Sequence, residues 1–138
     1  MDLLTNYAVP TAKGVVNIQF AGGLLGHWGC WTQKTAGILE QVKNARGGSA
    51  IPKELLTLAA QVTDCNGAIF DAANQYAGAL PGIHDVLRRQ GLLENIGTLD
   101  PAETLSPGQS AEIDRVYQAY PHLNDDEFVR ENLATWLA

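Results

Sequence analysis

The stretch Gly14-Val-Val-Asn-Ile-Gln-Phe-Ala-Gly-Gly-Leu-Leu-Gly-His-Trp28 constrains the fold more than any other. It reads as a short strand running through a glycine turn into a long helix. Val15, Val16, Ile18 and Phe20 favour extended backbone, and Gly14 and Gly22 bound the run. A run this short, apolar on both faces, suits a strand buried in a parallel sheet. No other segment reads as a strand, so this one has no partner within the chain. Gly22, Gly23 and Gly26 fall where strand becomes helix. Such a turn leaves backbone N–H groups free at a helix N-terminus, which makes Gly22 and Gly23 anion-turn candidates. Their spacing matches neither the dinucleotide nor the P-loop pattern, and close packing of helix against strand explains them more simply.

The remainder reads as helix. Residues 2–9 look like the end of an amphipathic helix stopped by Pro10. Leu24, Trp28, Trp31, Ile38 and Val42 recur at helical spacing, and Arg46-Gly47-Gly48 closes that helix. Pro52 suits the first turn of the next one. Leu55, Leu58, Val62, Cys65, Ile69, Ala73 and Tyr76 form the cleanest stripe and predict a single long helix. A short helix follows with Ile83, Val86 and Leu87. Arg88 and Arg89 complement its dipole, and Gly91 caps it. Residues 91–105 are irregular. Ser106-Pro-Gly-Gln109 is a capping box opening a helix that carries Ile113, Val116, Tyr117 and Tyr120 and stops at Pro121. Asn124 caps the last helix, whose apolar face is Phe128, Leu133, Trp136 and Leu137. Asp125, Asp126 and Glu127 complement its positive end rather than forming a metal cluster.

Charge placement divides the chain. Residues 1–99 hold seven acids and seven bases, whereas residues 100–138 hold eight acids and two bases, so the net charge of −6 sits in the tail. Apolar residues interleave those acids, as on a solvated helical surface. The negative charge argues against nucleic acid and anionic membrane as partners. No apolar run reaches the ~18 residues a membrane helix needs. His27, His84 and His122 lack ligand spacing, so no metal and no cofactor is expected. Cys30 and Cys65 stand outside any CxxC pair, and no secretory signal is evident. Two buried thiols in a reducing cytoplasm follow from this.

The order of features resembles the C-terminal part of the dihydrodipicolinate synthase / N-acetylneuraminate lyase family. Leu3-Leu4…Ala8 followed by Lys13-Gly14-Val15-Val16-Asn17-Ile18 looks like that family's seventh helix and eighth strand, and residues 22–45 look like its eighth helix. Ala68-Ile69-Phe70-Asp71-Ala72-Ala73-Asn74 and then Pro81-Gly82-Ile83-His84-Asp85-Val86-Leu87-Arg88-Arg89-Gln90-Gly91-Leu92 look like its long C-terminal helix, turn and following helix. Leu105-Ser106-Pro107-Gly108-Gln109…Ile113 resembles the start of its final helix. Residues 121–138 extend beyond the usual family end. Many members carry Asn near the C-terminal end of the eighth strand, where this chain has Phe20 and Ala21.

The resemblance implies a mainly α chain: the last βα unit of a (β/α)8 barrel followed by the family's helical domain, with the barrel incomplete. Residues 1–48 would be the partial barrel segment, and residues 49–138 the helical domain with its acidic tail. It implies a lyase or aldolase acting on 2-keto acids through a lysine Schiff base. The family's lysine, tyrosine proton relay and Thr/Ser pair lie on earlier strands with no counterpart here, so no catalytic residue is assigned and the chain is expected to be inactive alone. A barrel takes about 250 residues, whereas thirteen precede Gly14. Gln19, Phe20 and Ala21 become substrate-pocket candidates on one barrel wall. The implied partner is a chain supplying the rest of the barrel, with a homo-oligomer as another way to cover the strand. The alternative is a non-enzymatic helical interaction or assembly module.

Overall fold

The computed structural model describes residues 2–138. It is mainly helical, with one two-stranded sheet. A 3-10 turn at Asp2–Leu4 leads into β1 (Tyr7–Thr11) and β2 (Gly14–Ile18). Six helices follow: α1 (His27–Cys30), α2 (Thr32–Arg46), α3 (Glu54–Ile69), α4 (Ala79–Arg89), α5 (Gln109–Ala119) and α6 (Asp126–Trp136).

The strand at Gly14–Ile18 is neither alone nor buried. It pairs antiparallel with β1, Val9 opposite Val16 and Tyr7 opposite Ile18, and all five of its residues are exposed. The segment expected to end a helix at Pro10 supplies that partner instead. The reason lies in the ladder. Pro10 faces Val15 in a pair whose backbone nitrogens point away from the partner strand, so its missing N–H removes no bond. Ala12 and Lys13 make the two-residue connection, closed by the Thr11 hydroxyl donating to the Gly14 carbonyl at 2.7 Å.

The core is built by α1 to α5. Trp31, Cys65, Ile69, Val86, Ile113 and Val116 are buried together, with Cys30, Ala68 and Leu123 around them. The Trp31 and Tyr117 rings meet edge to face at 5.5 Å. Arg88 and Arg89 do more than complement the helix dipole: both donate to the buried carboxylate of Asp85, at 2.6 and 2.7 Å. Gly91, at φ 79°, ends α4 in a Schellman turn: Leu92 N–H donates to Leu87 and Gly91 N–H to Arg88.

Three helices differ from the periodic reading. The stripe from Leu55 does not run to Tyr76; α3 stops at Ile69 because Asp71 turns into the left-handed region, φ 56°. Periodicity does not register that break, since Ala73 and Tyr76 keep the helical spacing by coincidence. Leu24, expected on a core face, is 91% exposed, because residues 19–26 are irregular and the helix begins only at His27. On α6 the buried residue is Val129, while Phe128, Trp136 and Leu137 are exposed.

Candidate interaction surface

The register of the hairpin sorts its side chains. Residues directly opposite share a face, so Tyr7, Val9, Val16 and Ile18 line one side. Phe20 extends it, its ring meeting Tyr7 edge to face at 5.6 Å. Val16, Ile18 and Phe20 are about half exposed, and Leu25 is 80% exposed. Lys13, at the tip, is the only charged residue between 5 and 26. Together these side chains make an exposed apolar face without a charge between Tyr7 and Phe20 other than Lys13 at the tip. The outer edge of β1 is blunted by Pro10, whereas the outer edge of β2 offers the unpaired backbone groups of Val15 and Asn17.

Arg46, in the last turn of α2, fixes the base of this arm. Its guanidinium donates from Nε to the Leu3 carbonyl and from Nη2 to the Phe20 carbonyl, one on each side of the hairpin. The Tyr7 hydroxyl donates to Asp2 at 2.6 Å.

Gln19, Phe20, Ala21, Gly22 and Gly23 all lie on the exposed, irregular stretch after β2. Of these, Phe20 is brought against Tyr7 and Arg46. Gly23 lies so close to the Trp28 indole that a Cβ would collide with it, and Gly22 lies near Leu39. Close packing thus accounts for Gly23, whereas Gly22 has room for a Cβ. The N–H that opens α1, that of His27, is taken by the Asn66 amide oxygen at 2.9 Å.

The acids at 125–127 point three ways. Asp125 accepts from the N–H groups of Gln33 and Lys34 on α2, Asp126 accepts from Gln90 at 3.2 Å, and Glu127 faces Arg130 at 3.6 Å. No group of three or more metal-ligating side chains occurs among the described residues. All four lysines, Lys13, Lys34, Lys43 and Lys53, are exposed. Cys30 and Cys65 are buried and free, and burial pushes both thiols up to about 12. No helix among the described residues is long and apolar enough to cross a membrane.

A buried polar knot, missed by periodicity, holds the helical body. Asp71 accepts from Ser106 Oγ at 2.5 Å, from Asn74 at 2.7 Å and from the Gly78 N–H at 2.9 Å. Burial alone would raise its pKa, but these hydrogen bonds outweigh burial and hold it below the ordinary carboxylate value. Gln109 accepts from the Ser106 N–H at 3.0 Å and donates to the carbonyls of Ile69 and Gly78. Half of the expected capping box therefore forms. The Ser106 hydroxyl goes to Asp71 instead, and α5 starts at Gln109. The knot joins the end of α3 to the start of α4 and α5, and its chemistry is structural.

Compared with family models, curated proteins and solved structures, the chain matches none.

Proposed function

We propose that this chain is the C-terminal, non-catalytic portion of a cytoplasmic keto-acid lyase of the dihydrodipicolinate synthase / N-acetylneuraminate lyase type. It acts only with a polypeptide that supplies the remaining barrel strands and the Schiff-base lysine. One observation carries the reading: the apolar face of residues 7–20 is unpartnered beside a helical core that closes without it. The ordered resemblance of residues 68–92 and 105–113 supports it. A Schiff-base amine must be held neutral by burial or a cationic neighbour, and the exposure of all four lysines agrees with a non-catalytic role. Gln19, Phe20 and Ala21 then contribute to one wall of the shared pocket. The test is co-expression with a barrel polypeptide from an adjacent reading frame, followed by pyruvate and borohydride trapping. A covalent adduct on the partner's lysine, dependent on this chain, is expected. A complex that forms no adduct overturns the lyase assignment.

A second reading, a non-enzymatic assembly module, is favoured by the antiparallel pairing of β1 and β2, since barrel strands are parallel. Light scattering separates the two. A stable oligomer with protected β2 amides, indifferent to barrel polypeptide, supports the module.

A further inference from the structure

The hairpin has two outer edges, and only one of them is open. On β1 the outward-facing Pro10 has no N–H to donate. On β2 the outward positions are Val15 and Asn17, each with an unpaired N–H and carbonyl, and all five residues of the strand are exposed. Edge strands that avoid pairing carry charge, proline or a bulge. β2 has none of these: it reads Gly-Val-Val-Asn-Ile and pairs with β1 in unbroken register.

We infer that β2 pairs antiparallel with β2 of a second copy of this chain, about a two-fold axis at Val16, joining two hairpins into one sheet. The pairing rests on the assembly-module reading and gives that module its partner. Its register follows from the backbone. With Val16 opposite Val16, Val15 of each copy meets Asn17 of the other, and every outward N–H and carbonyl of the strand is used. A two-fold at Val15 or at Asn17 would set the other of them against Lys13 or Gln19, outside the strand. Pro10 denies the same pairing to β1, so growth stops at the dimer instead of continuing into a filament. Charge agrees. Lys13 falls opposite Gln19, so no like charges meet. The net charge of −6 is carried by residues 100–138, so two copies approach with least repulsion through an arm whose one charge is Lys13.

The test uses the full chain, sedimentation velocity over a concentration series, and introduced cysteines oxidised with glutathione disulfide. Opposed Val16 residues form a non-hydrogen-bonded pair with Cα atoms about 4.5 Å apart, within disulfide reach. Val9 shares the face of Val16 but lies on the far strand, about 15 Å from its counterpart and beyond that reach. Cys30 and Cys65 are buried and do not compete. A dimer whose fraction rises with concentration is expected, with Val16→Cys cross-linked and Val9→Cys not. Val15→Pro removes one outward N–H per copy, keeps the ladder to β1, and is expected to weaken dimerisation at least about tenfold. Amide dispersion of each variant confirms the fold. An oligomer that cross-links through Val9 as readily as through Val16 packs face to face; it overturns this pairing and leaves the assembly reading standing. Undiminished association of folded Val15→Pro does the same. A monomer at every concentration, without a Val16→Cys cross-link, overturns both.

Discussion

Asp125 accepts from the backbone N–H of Gln33 at 2.7 Å and from that of Lys34 at 2.8 Å, so the N-terminus of α2 is capped from 92 residues away in sequence. The local cap position, Trp31, offers no acceptor side chain. Asp125 is 4% exposed, and it ties α2 to the start of α6. Asp125→Ala leaves two orphan donors and is expected to cost about 1–2 kcal/mol. Chemical denaturation checks this, and Asp125→Asn, which keeps one acceptor, should recover part of the loss.

Gly82 and Gln109 test the polar knot. A Cβ at Gly82 would collide with the Ile69 carbonyl, a backbone atom that cannot swing aside. Gly82→Ala is therefore expected to cost about 3 kcal/mol or more. Gln109→Leu removes the donor to the Ile69 and Gly78 carbonyls and should cost about 2–3 kcal/mol. Both are read from denaturation midpoints at unchanged slope.

These two sites also mark what was legible in the sequence. The mainly helical body, the α4 terminus at Gly91 and the buried cysteines follow from spacing and capping chemistry. Gln109 reaching back to Ser106 was legible too, because its geometry spans only four residues. Asp71 and Asp125 were not, because their partners lie on other elements and no local pattern encodes them. The hairpin was missed for a different reason: Pro10 disguises β1 as a helix end, while its nitrogen in fact faces the open edge. The apolar strand at Gly14–Ile18 was legible from its residues, but its exposure and its antiparallel partner were not.

The hairpin face should govern association. Val16 and Ile18 are about half exposed and lie outside the core, so replacing both by Lys should leave folding stability within about 0.5 kcal/mol. The same pair should sharply reduce self-association or capture of a barrel polypeptide, since it places two charges on the apolar face. Sedimentation velocity on wild type and Val16→Lys/Ile18→Lys checks this. Unchanged association would mean that a different surface is used.

Cys30 and Cys65 should be chemically silent. With burial pushing both thiols up to about 12, almost no thiolate exists at pH 8. Neither should react with a thiol reagent in the native protein, and both should react once denaturant is added. Native labelling at either position would signal local opening of the α1–α3 contact.

His27 should make stability fall in mild acid. Its folded pKa lies below the ordinary 6.5, because burial penalises the imidazolium. Below pH 6.5 the unfolded chain therefore binds a proton that the folded chain refuses. Stability declines as pH drops from 6.5 toward the folded pKa and levels off beneath it, with a slope of at most about 1.4 kcal/mol per pH unit. His27→Leu keeps the apolar packing and removes this titration. Urea midpoints measured between pH 7 and pH 5 should converge for the two proteins as the wild type gains stability toward pH 7. The gap between them should widen toward pH 5, with the variant the more stable. Parallel curves across that range would show that the ring takes up its proton equally readily in the folded and unfolded chain, as a solvated imidazole does.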